Sequence, residues 1–491
     1  MVRKAVPVTQ GDLGGGREPP RSQSTHSSAE AGQCPWSEGV QEGGCRMDRP
    51  KDPTPARVPD RATQAGEAPA RWAWVEPAVW TPRMLTALEQ GVKGGTWFSL
   101  IDKVYAPRNL RAAFARVKAN RGSAGVDHVT IEQFEAHLDE ELDRLSGSLR
   151  DGTYRPQAIR RAWIPKPGST EKRPLGIPTV RDRVVQAALR NVLEPIFERD
   201  FAEGSYGFRP NRGAKDALRR VDGLLRAGHT WVVDADLKSY FDSIPRDRLL
   251  ERVRATVSDG RILALVEAYL RQGVLDGMES WTPTAGTPQG AVISPLLSNL
   301  YLDPLDHRMA AQGFEMTRYA DDFVVQCRSE AEAREALEVV KAWAAEAGLT
   351  LHPDKTRIAD ATRKGGGFDF LGYHIEAGRR WPRKKSLAKL KDAIRAKTRR
   401  ANGKSLGQIL TAVNRTLLGW FEYFKHSYPT WLRDLDKWVR MRIRSILRKR
   451  SGRRGRGRGT DHQRWPTAFF AAQGLFSLYA ARRALRQPPL G

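Results

Sequence analysis

Two aspartates, Asp321 and Asp322, stand side by side in the stretch TRYADDFVVQ (317–326). Apolar residues alternate up to a polar tip, which reads as a strand running into a tight turn. Adjacent acids in such a setting are costly to bury unless something positive compensates them. A second acidic cluster, Asp234, Asp236 and Asp242, lies in WVVDADLKSYFDSI. On a strand Asp234 and Asp236 face the same way, whereas Asp321 and Asp322 face opposite ways unless a turn gathers them. Carboxylates converging from two distant strands make a hard oxygen site suited to Mg2+ and substrate phosphates. Two such ions about 4 Å apart lower the pKa of an attacking hydroxyl and stabilise the leaving oxygen of an in-line phosphoryl transfer. The competing reading is that these acids pair with arginines or cap helices. The apolar setting of both clusters favours chemistry. Spacing alone does not choose among Asp234, Asp236 and Asp242.

The chain around these acids is strongly basic. It has 491 residues, 82 Lys and Arg against 56 Asp and Glu, a net charge of +26 and a pI near 10.3. Its length suggests roughly three domains of about 150 residues. The excess of cations points to a polyanionic partner, and with the acids it suggests a nucleotidyl transferase acting on a nucleic acid end. The cysteines, Cys34, Cys45 and Cys327, form no CxxC pair and no Cys/His cluster, which speaks against a disulfide framework or a zinc site. MVRKAVPVTQGDLGGG has no apolar signal core, and no uninterrupted apolar run reaches about 18 residues. These features lead us to expect a soluble protein of a reducing, intracellular compartment, with no membrane partner.

Several elements must position the acids. Residues 1–75 are rich in Gly, Pro, Ser, Glu and Arg without periodicity and read as a disordered tail. Residues 76–149 are helical in pattern, with a Gly-rich loop at KANRGSAGVD. Residues 150–375 mix strands and helices: RRAWIPKPGSTEKRPLGIPT reads as a hairpin around KPGST, and the helix AEAREALEVVKAWAAEAG stops at Gly348. In 376–450 the helical period returns in three stripes: Leu387, Leu390 and Ile394, then Leu406 to Phe424, then Leu432 to Ile446. Each apolar face needs a partner, so these form a bundle. Residues 451–491 hold a cationic linker, within RKRSGRRGRGRG, and a short module.

At this point the residues resemble a known family, the group II intron-encoded reverse transcriptases with maturase activity. YADD (319–322) looks like its catalytic tip, DADLKSYFDSI (234–244) its first catalytic strand, and GTPQGAVISPLLSNLYLDPLD (286–306) its nucleotide-pocket segment. IPKPGSTEKRPLGIPTVRDRVVQAAL resembles the fingers, EGSYGFRPNRGAKDAL the segment that follows, GLTLHPDKTRI and FDFLGYHI the end of the palm, and LLGWFEYF the thumb or maturase region. The resemblance runs from about residue 80 to 491. The fold it implies is α+β: a right hand of fingers, palm and thumb with a helical N-terminal extension, a helical thumb/maturase domain and a small C-terminal DNA-binding module.

The resemblance also implies the site. Asp236 precedes Phe241 by five residues, as the first metal ligand precedes the sugar-gating aromatic in this family. Asp236, Asp321 and Asp322 are therefore the implied catalytic and metal-holding residues, with the Leu237 carbonyl a further contact and two Mg2+ ions as cofactors. Phe241 would exclude a 2′-hydroxyl, Gln289 would touch the incoming dNTP, and Lys166 and Arg173 would neutralise its triphosphate. The hairpin is one residue longer than the family pattern between those two, which makes Lys172 an alternative to Arg173. Lys355 is a further candidate for the nucleotide pocket, and Gly372 for the primer end.

The implied partners are group II intron RNA, an RNA template with a DNA primer, target DNA and dNTPs. The implied location is the bacterial cytoplasm, in a ribonucleoprotein or at the nucleoid. Duplex is held without reading sequence, so phosphate contacts should dominate. The candidates are Lys118 and Arg121 in the N-terminal loop, then Lys384, Lys385, Lys389, Arg399 and Arg400, then Arg442, Arg444, Arg448 and Arg450, expected opposite the apolar stripes. Trp465, Phe469 and Phe470 in the tail either pack a small core or stack on bases. No Cys/His endonuclease segment follows the tail, which leads us to expect no second-strand cleavage by this chain. Two other functions compete: a retron or defence-type reverse transcriptase, and a splicing-only RNA-binding maturase. The three intact aspartates count against the second.

Overall fold

A computed structural model describes residues 70–92, 95–165, 172–277, 279–401, 403–453, 455 and 459–485. Most of the expected disordered tail lies outside them. Its last residues do not fit that expectation: Trp72 is 1% exposed and sits with Val75 in the main core, its indole N–H donating to Glu89 Oε1 at 3.2 Å. Burial of a large indole outweighs the Pro- and Gly-rich composition around it.

Among the described residues the strands form three sheets. The first runs in the order β2 (Lys172–Ile177), β1 (Ile159–Pro165), β4 (Val274–Asp276), β5 (Glu279–Trp281). In its β1–β2 hairpin Ile164 faces Arg173 and Pro165 faces Lys172. The central sheet runs β6 (Glu315–Tyr319), β7 (Asp322–Cys327), β3 (Trp231–Asp236), β8 (Arg357–Asp360), and every neighbouring pair is antiparallel. Its strands are short β-branched and aromatic runs, which suit a pleated surface covered on both sides. Helices Ser294–Ala311 and Glu330–Glu346 pack on it, and Phe323, Val325 and Cys327 are fully buried. A third sheet, β11 (Arg379–Pro382), β10 (Tyr373–Glu376), β9 (Phe368–Phe370), packs through β9 against the inner strands β3 and β7.

Helix Val180–Glu198 is buried almost all round, so its polar groups need internal partners. Asp182 accepts from Tyr154 Oη at 2.6 Å and from the Gln157 N–H at 3.1 Å, and Gln186 Oε1 accepts from the Val292 N–H at 2.7 Å. This helix thereby ties the first sheet to the segment that carries Gln289.

The C-terminal bundle consists of helices Lys384–Lys397, Leu406–Phe424 and Pro429–Arg450. Ser405 caps the second with a reciprocal Gln408 contact, and Pro429 opens the third where a missing N–H costs nothing. The tail does not build a core of its own. Trp465, Phe470 and Leu478 join the core that holds Leu432, Val439 and Ile443. The Asp436 carboxylate holds it there, accepting from Ser477 Oγ at 2.7 Å and from the Leu478 and Tyr479 N–H groups at 3.0 Å each.

Candidate active site

Strands β3 and β7 lie side by side, and their register sets Asp236 directly opposite Asp322. Cross-strand partners share a face, with Cβ atoms about 4.5–5.5 Å apart. Asp321 sits in the turn between β6 and β7, so the expected pair of adjacent acids is gathered by a turn at the end of the sheet. The other two acids of the early cluster are engaged elsewhere. Asp234 faces Arg357 at 3.5 Å, and Asp242 accepts from Gln289 Nε2 at 3.4 Å.

The turn depends on residues that sequence reasoning did not single out. Ala320 adopts φ +60°, a strained value for a residue with a Cβ. It is held from behind by Arg318, which is 0% exposed. The Arg318 guanidinium grips Asp306 through Nε at 2.9 Å to both carboxylate oxygens and through Nη2 at 2.5 Å. Its Nη1 donates to the Ala320 carbonyl at 3.0 Å and to Asn299 Oδ1 at 2.9 Å, and Asn299 in turn donates to the Gly207 carbonyl at 2.7 Å. Gly207 backs directly onto the turn: a methyl there would lie 2.2 Å from the Ala320 nitrogen. Its neighbours bond to Arg318 as a short parallel bridge, Tyr206 N–H to the Arg318 carbonyl and Arg318 N–H to the Gly204 carbonyl, both 2.8 Å. The only signal in the sequence is that Gly207, Asn299, Asp306 and Ala320 fall inside the stretches that resemble the family, with Arg318 one residue before YADD.

The acids carry the electrostatic signature of a cation site. Burial pushes the Asp321 carboxyl up, the charge of Asp236 adds to this, and Arg318 and Lys355 oppose it. Burial, then the charges of Asp321 and Asp234, push Asp322 up to about 7. Burial lifts Asp234 to about 6 against the pull of Arg357. Lys355 Nζ lies 2.5 Å from Asp236 Oδ2. It is delivered by an antiparallel bridge beyond the end of β3, in which Lys238 N–H donates to the Thr350 carbonyl at 2.8 Å and His352 N–H to the Asp236 carbonyl at 2.7 Å. Leu237, whose carbonyl was the further expected contact, is the buried residue at that bridge. Among the described residues no three His, Cys, Asp or Glu are gathered closely enough to hold an ion. The donor set nonetheless fits a hard divalent cation: oxygen ligands only, with the Asp321 and Asp322 carboxyls pushed up chiefly by burial.

A pH dependence follows. The folded pKa of Asp322 exceeds the unfolded value of about 3.9, so the folded state keeps a proton that the unfolded state releases. The resulting stabilisation is complete below about pH 4 and is lost as pH rises through about 7. Divalent binding needs the carboxylate, so metal stabilisation should grow over the same window. Thermal melts from pH 5 to 8, with chelator and with Mg2+, check this. Asp322→Asn should flatten both trends, and equal slopes for variant and wild type would contradict the assignment.

The remaining candidates divide into those near this site and those that are not. Phe241, in the single turn Tyr240–Ser243, meets Tyr240 edge-on at 5.5 Å, and its carbonyl accepts from the Thr287 N–H at 2.7 Å. Gly286, at φ +86°, permits that approach, since a methyl would lie 2.6 Å from the Phe241 oxygen. The Gln289 carbonyl accepts from the Gly176 N–H of β2 at 2.7 Å, so Gln289, Phe241 and the hairpin bearing Arg173 converge. Lys166 lies outside the described residues. Gly372, at φ +82°, accepts from the Arg383 N–H at 2.9 Å and Ser386 Oγ at 3.0 Å, where the third sheet meets the bundle.

Lys384, Lys385, Lys389, Arg399 and Arg400 are exposed along and just after the first bundle helix. Lys118 is exposed and paired with Glu135, and Arg121 is exposed at φ +47°. Arg450 reaches the Lys404 carbonyl, Arg442 donates to the Thr398 carbonyl at 2.9 Å, and Arg448 pairs with the buried Asp461. Arg444 must be corrected. It is 5% exposed, donates to the Trp465 carbonyl at 2.9 Å and lies 5.0 Å from the Phe470 ring. The tail covers a second face of the last bundle helix, so a residue opposite the first apolar stripe is interior.

Comparison with known proteins adds the family. Residues 164–375 match the reverse transcriptase (RNA-dependent DNA polymerase) family, and residues 387–465 match the group II intron maturase-specific domain. Protein YkfC of Escherichia coli (strain K12) is 33% identical over 347 residues, 62% of this chain and 86% of that protein. The group II intron-encoded protein LtrA of Lactococcus lactis subsp. cremoris is 37% identical over 194 residues, which span 40% of this chain and 32% of LtrA. Nuclear intron maturase 2, mitochondrial, of Arabidopsis thaliana is 29% identical over 254 residues, 44% of this chain and 33% of that protein. Among the described residues no helix is long and apolar enough to cross a membrane.

Proposed function

The chain belongs to the group II intron-encoded reverse transcriptase and maturase family and is an RNA-directed DNA polymerase, and from that premise we propose that its polymerase centre is the sheet end bearing Asp236, Asp321 and Asp322. The observation that carries this reading is the register of β3 and β7, which pairs Asp236 with Asp322 while Asp321 occupies the adjoining turn. In this reading the central sheet is the palm, the β1–β2 sheet the fingers and the C-terminal bundle the thumb. The helices before residue 150 are the N-terminal extension, and the tail contacts DNA from its seat on the thumb.

Reverse transcriptase domains use divalent metal ions, and the oxygen-only donor set here favours Mg2+. Two such ions, when bound, supply Lewis-acid activation of the primer hydroxyl and charge stabilisation of the departing pyrophosphate. The chain's own residues do the rest. Asp236 and Asp321 would hold the ions, with Asp322 beside them and the Leu237 carbonyl as a further ligand. Lys355 neutralises Asp236 and would also meet the triphosphate. Arg173, or Lys172, and Lys166 meet the same phosphates. Gln289 is braced from both sides, by β2 and by Asp242, and lines the nucleotide. Gly372 holds the primer end at the thumb junction.

Phe241 bars the ribose 2′-hydroxyl. Phe241→Ala should lower the preference for dNTP over rNTP by about 10–200-fold, the range for a steric pocket judging one small group. Single-nucleotide incorporation measured as kcat/KM for each substrate checks this. An unchanged ratio would place the gate elsewhere.

Splicing assistance requires no catalytic residue. The exposed cations of the first bundle helix and the N-terminal loop bind the folded intron RNA and stabilise it. The combined reading is tested by two assays on one preparation: DNA synthesis on an RNA template, and acceleration of self-splicing of the cognate intron. Synthesis without acceleration would favour a retron-type enzyme, and acceleration without synthesis a splicing-only maturase.

A further inference from the structure

The last bundle helix carries Trp431 and Trp438 seven residues apart, on one face. Two helical turns separate their positions by about 10 Å along the axis. Both line a cavity of about 220 Å³. Its floor is apolar, Leu387 and Leu435, and its edge is polar, Thr430, Asp434 and Lys391. Trp431 is 39% exposed, yet it is fixed by near-parallel stacking on Trp381, with centroids 5.9 Å apart and planes at 12°. Such rigidity on an exposed indole suits a contact surface rather than a core.

Cations surround the second indole. Lys391 Nζ lies 5.9 Å and Arg395 Cζ 5.8 Å from the Trp438 ring. Beyond it a second cavity of about 260 Å³ is lined by Arg395, Arg400 and Arg442. An aromatic slot with a cationic rim recognises a flat, uncharged ring that carries anionic groups on either side. Asp434 pairs with Lys437 through Oδ1 at 3.3 Å, and its other oxygen is likewise an acceptor, so its edge prefers a ring that presents N–H donors. Guanine offers two, N1–H and the N2 amine, side by side.

We propose that the Trp431–Trp438 slot is a nucleobase site that captures one unpaired guanine of an RNA strand, with its flanking phosphates on Lys391, Arg395 and Arg400. The proposal rests on the reading that the bundle binds RNA, and it assigns a base-reading role to a face that the phosphate-contacting lysines do not occupy.

The test uses the full chain with its polymerase groove filled by excess template–primer duplex. Two short oligouridine RNAs are compared, one with a single central guanosine and one with an abasic site there. Wild type should bind the guanosine strand about tenfold or more tightly. Trp438→Ala should bring the ratio to about one while leaving the affinity and salt dependence of the abasic strand unchanged. The exposed Trp431→Ala should do the same, which guards against a folding defect in one variant. Replacing Lys384, Lys385 and Lys389 together by Gln should weaken both strands alike. A wild-type ratio of one with both strands bound, or a ratio that survives both Trp variants, overturns the slot while RNA binding by the bundle stands. If neither strand binds wild type, the slot and the RNA-binding reading fall together. Discrimination of a protein ligand by the Trp variants, with no base discrimination, would reassign the face to a polypeptide partner.

Discussion

Replacing Arg318 by Met should destabilise the protein by about 3–5 kcal/mol, because it leaves Asp306 buried without its counter-charge. Asp306 is 5% exposed and has no solvent to turn to. The Ala320 carbonyl and Asn299 Oδ1 would lose their donor as well. Denaturant or thermal unfolding measures the loss. The second variant separates fold from function. Arg318→Met with Asp306→Leu removes both charges, and replacing a buried pair by apolar side chains is often neutral or stabilising. Stability should therefore largely return. DNA synthesis should not, since nothing then anchors the carbonyl of Ala320 at φ +60° beside the acids proposed as catalytic. We expect the double variant to extend primers at least tenfold more slowly than wild type, with template affinity preserved. A stable double variant of wild-type rate would make Arg318 a structural residue only.

The Arg318 network shows where sequence reading stops. The strand–turn–strand character of TRYADDFVVQ was legible because alternation and a polar tip are local features. The partners of Arg318 are not local: Asp306 and Asn299 lie on a preceding helix, and Gly207 more than a hundred residues upstream. The choice among Asp234, Asp236 and Asp242 was likewise closed to spacing, since it depends on which residue of β3 falls opposite Asp322. The three bundle stripes were readable from a 3.6-residue period, whereas the second buried face of the last helix was not. Its cover comes from single large residues, Trp465, Phe470 and Leu478, spread over very short helices with no period to read. Arg444 was misplaced for that reason. The pairing of Lys355 with Asp236 also depends on a bridge between distant segments, Leu237 and Leu351.

Loss of a catalytic carboxylate has the largest expected effect. Asp321→Ala should reduce primer extension by about a thousandfold or more, equivalent to roughly 4 kcal/mol of transition-state stabilisation withdrawn with a metal ligand. The same change should not harm the fold. Burial and the charge of Asp236 push the Asp321 carboxyl up, so removing it takes away an unfavourably buried acid. The thermal midpoint without metal should stay level or rise, while the stabilisation gained on adding Mg2+ should shrink. Opposite signs for activity and metal-free stability would distinguish a ligand from a scaffold residue. Asp234→Asn offers a contrast, because Asp234 faces Arg357 at 3.5 Å and acts on Asp322 only through its charge. It should retain most of the polymerase rate.

The most direct measurement is single-turnover extension of a DNA primer on an RNA template with Mg2+, wild type beside Asp321→Ala, after template–primer binding has been matched. The expected result is rapid DNA synthesis by wild type and almost none by the variant at equal occupancy. Synthesis by both at similar rates would place the catalytic metal site away from Asp236, Asp321 and Asp322.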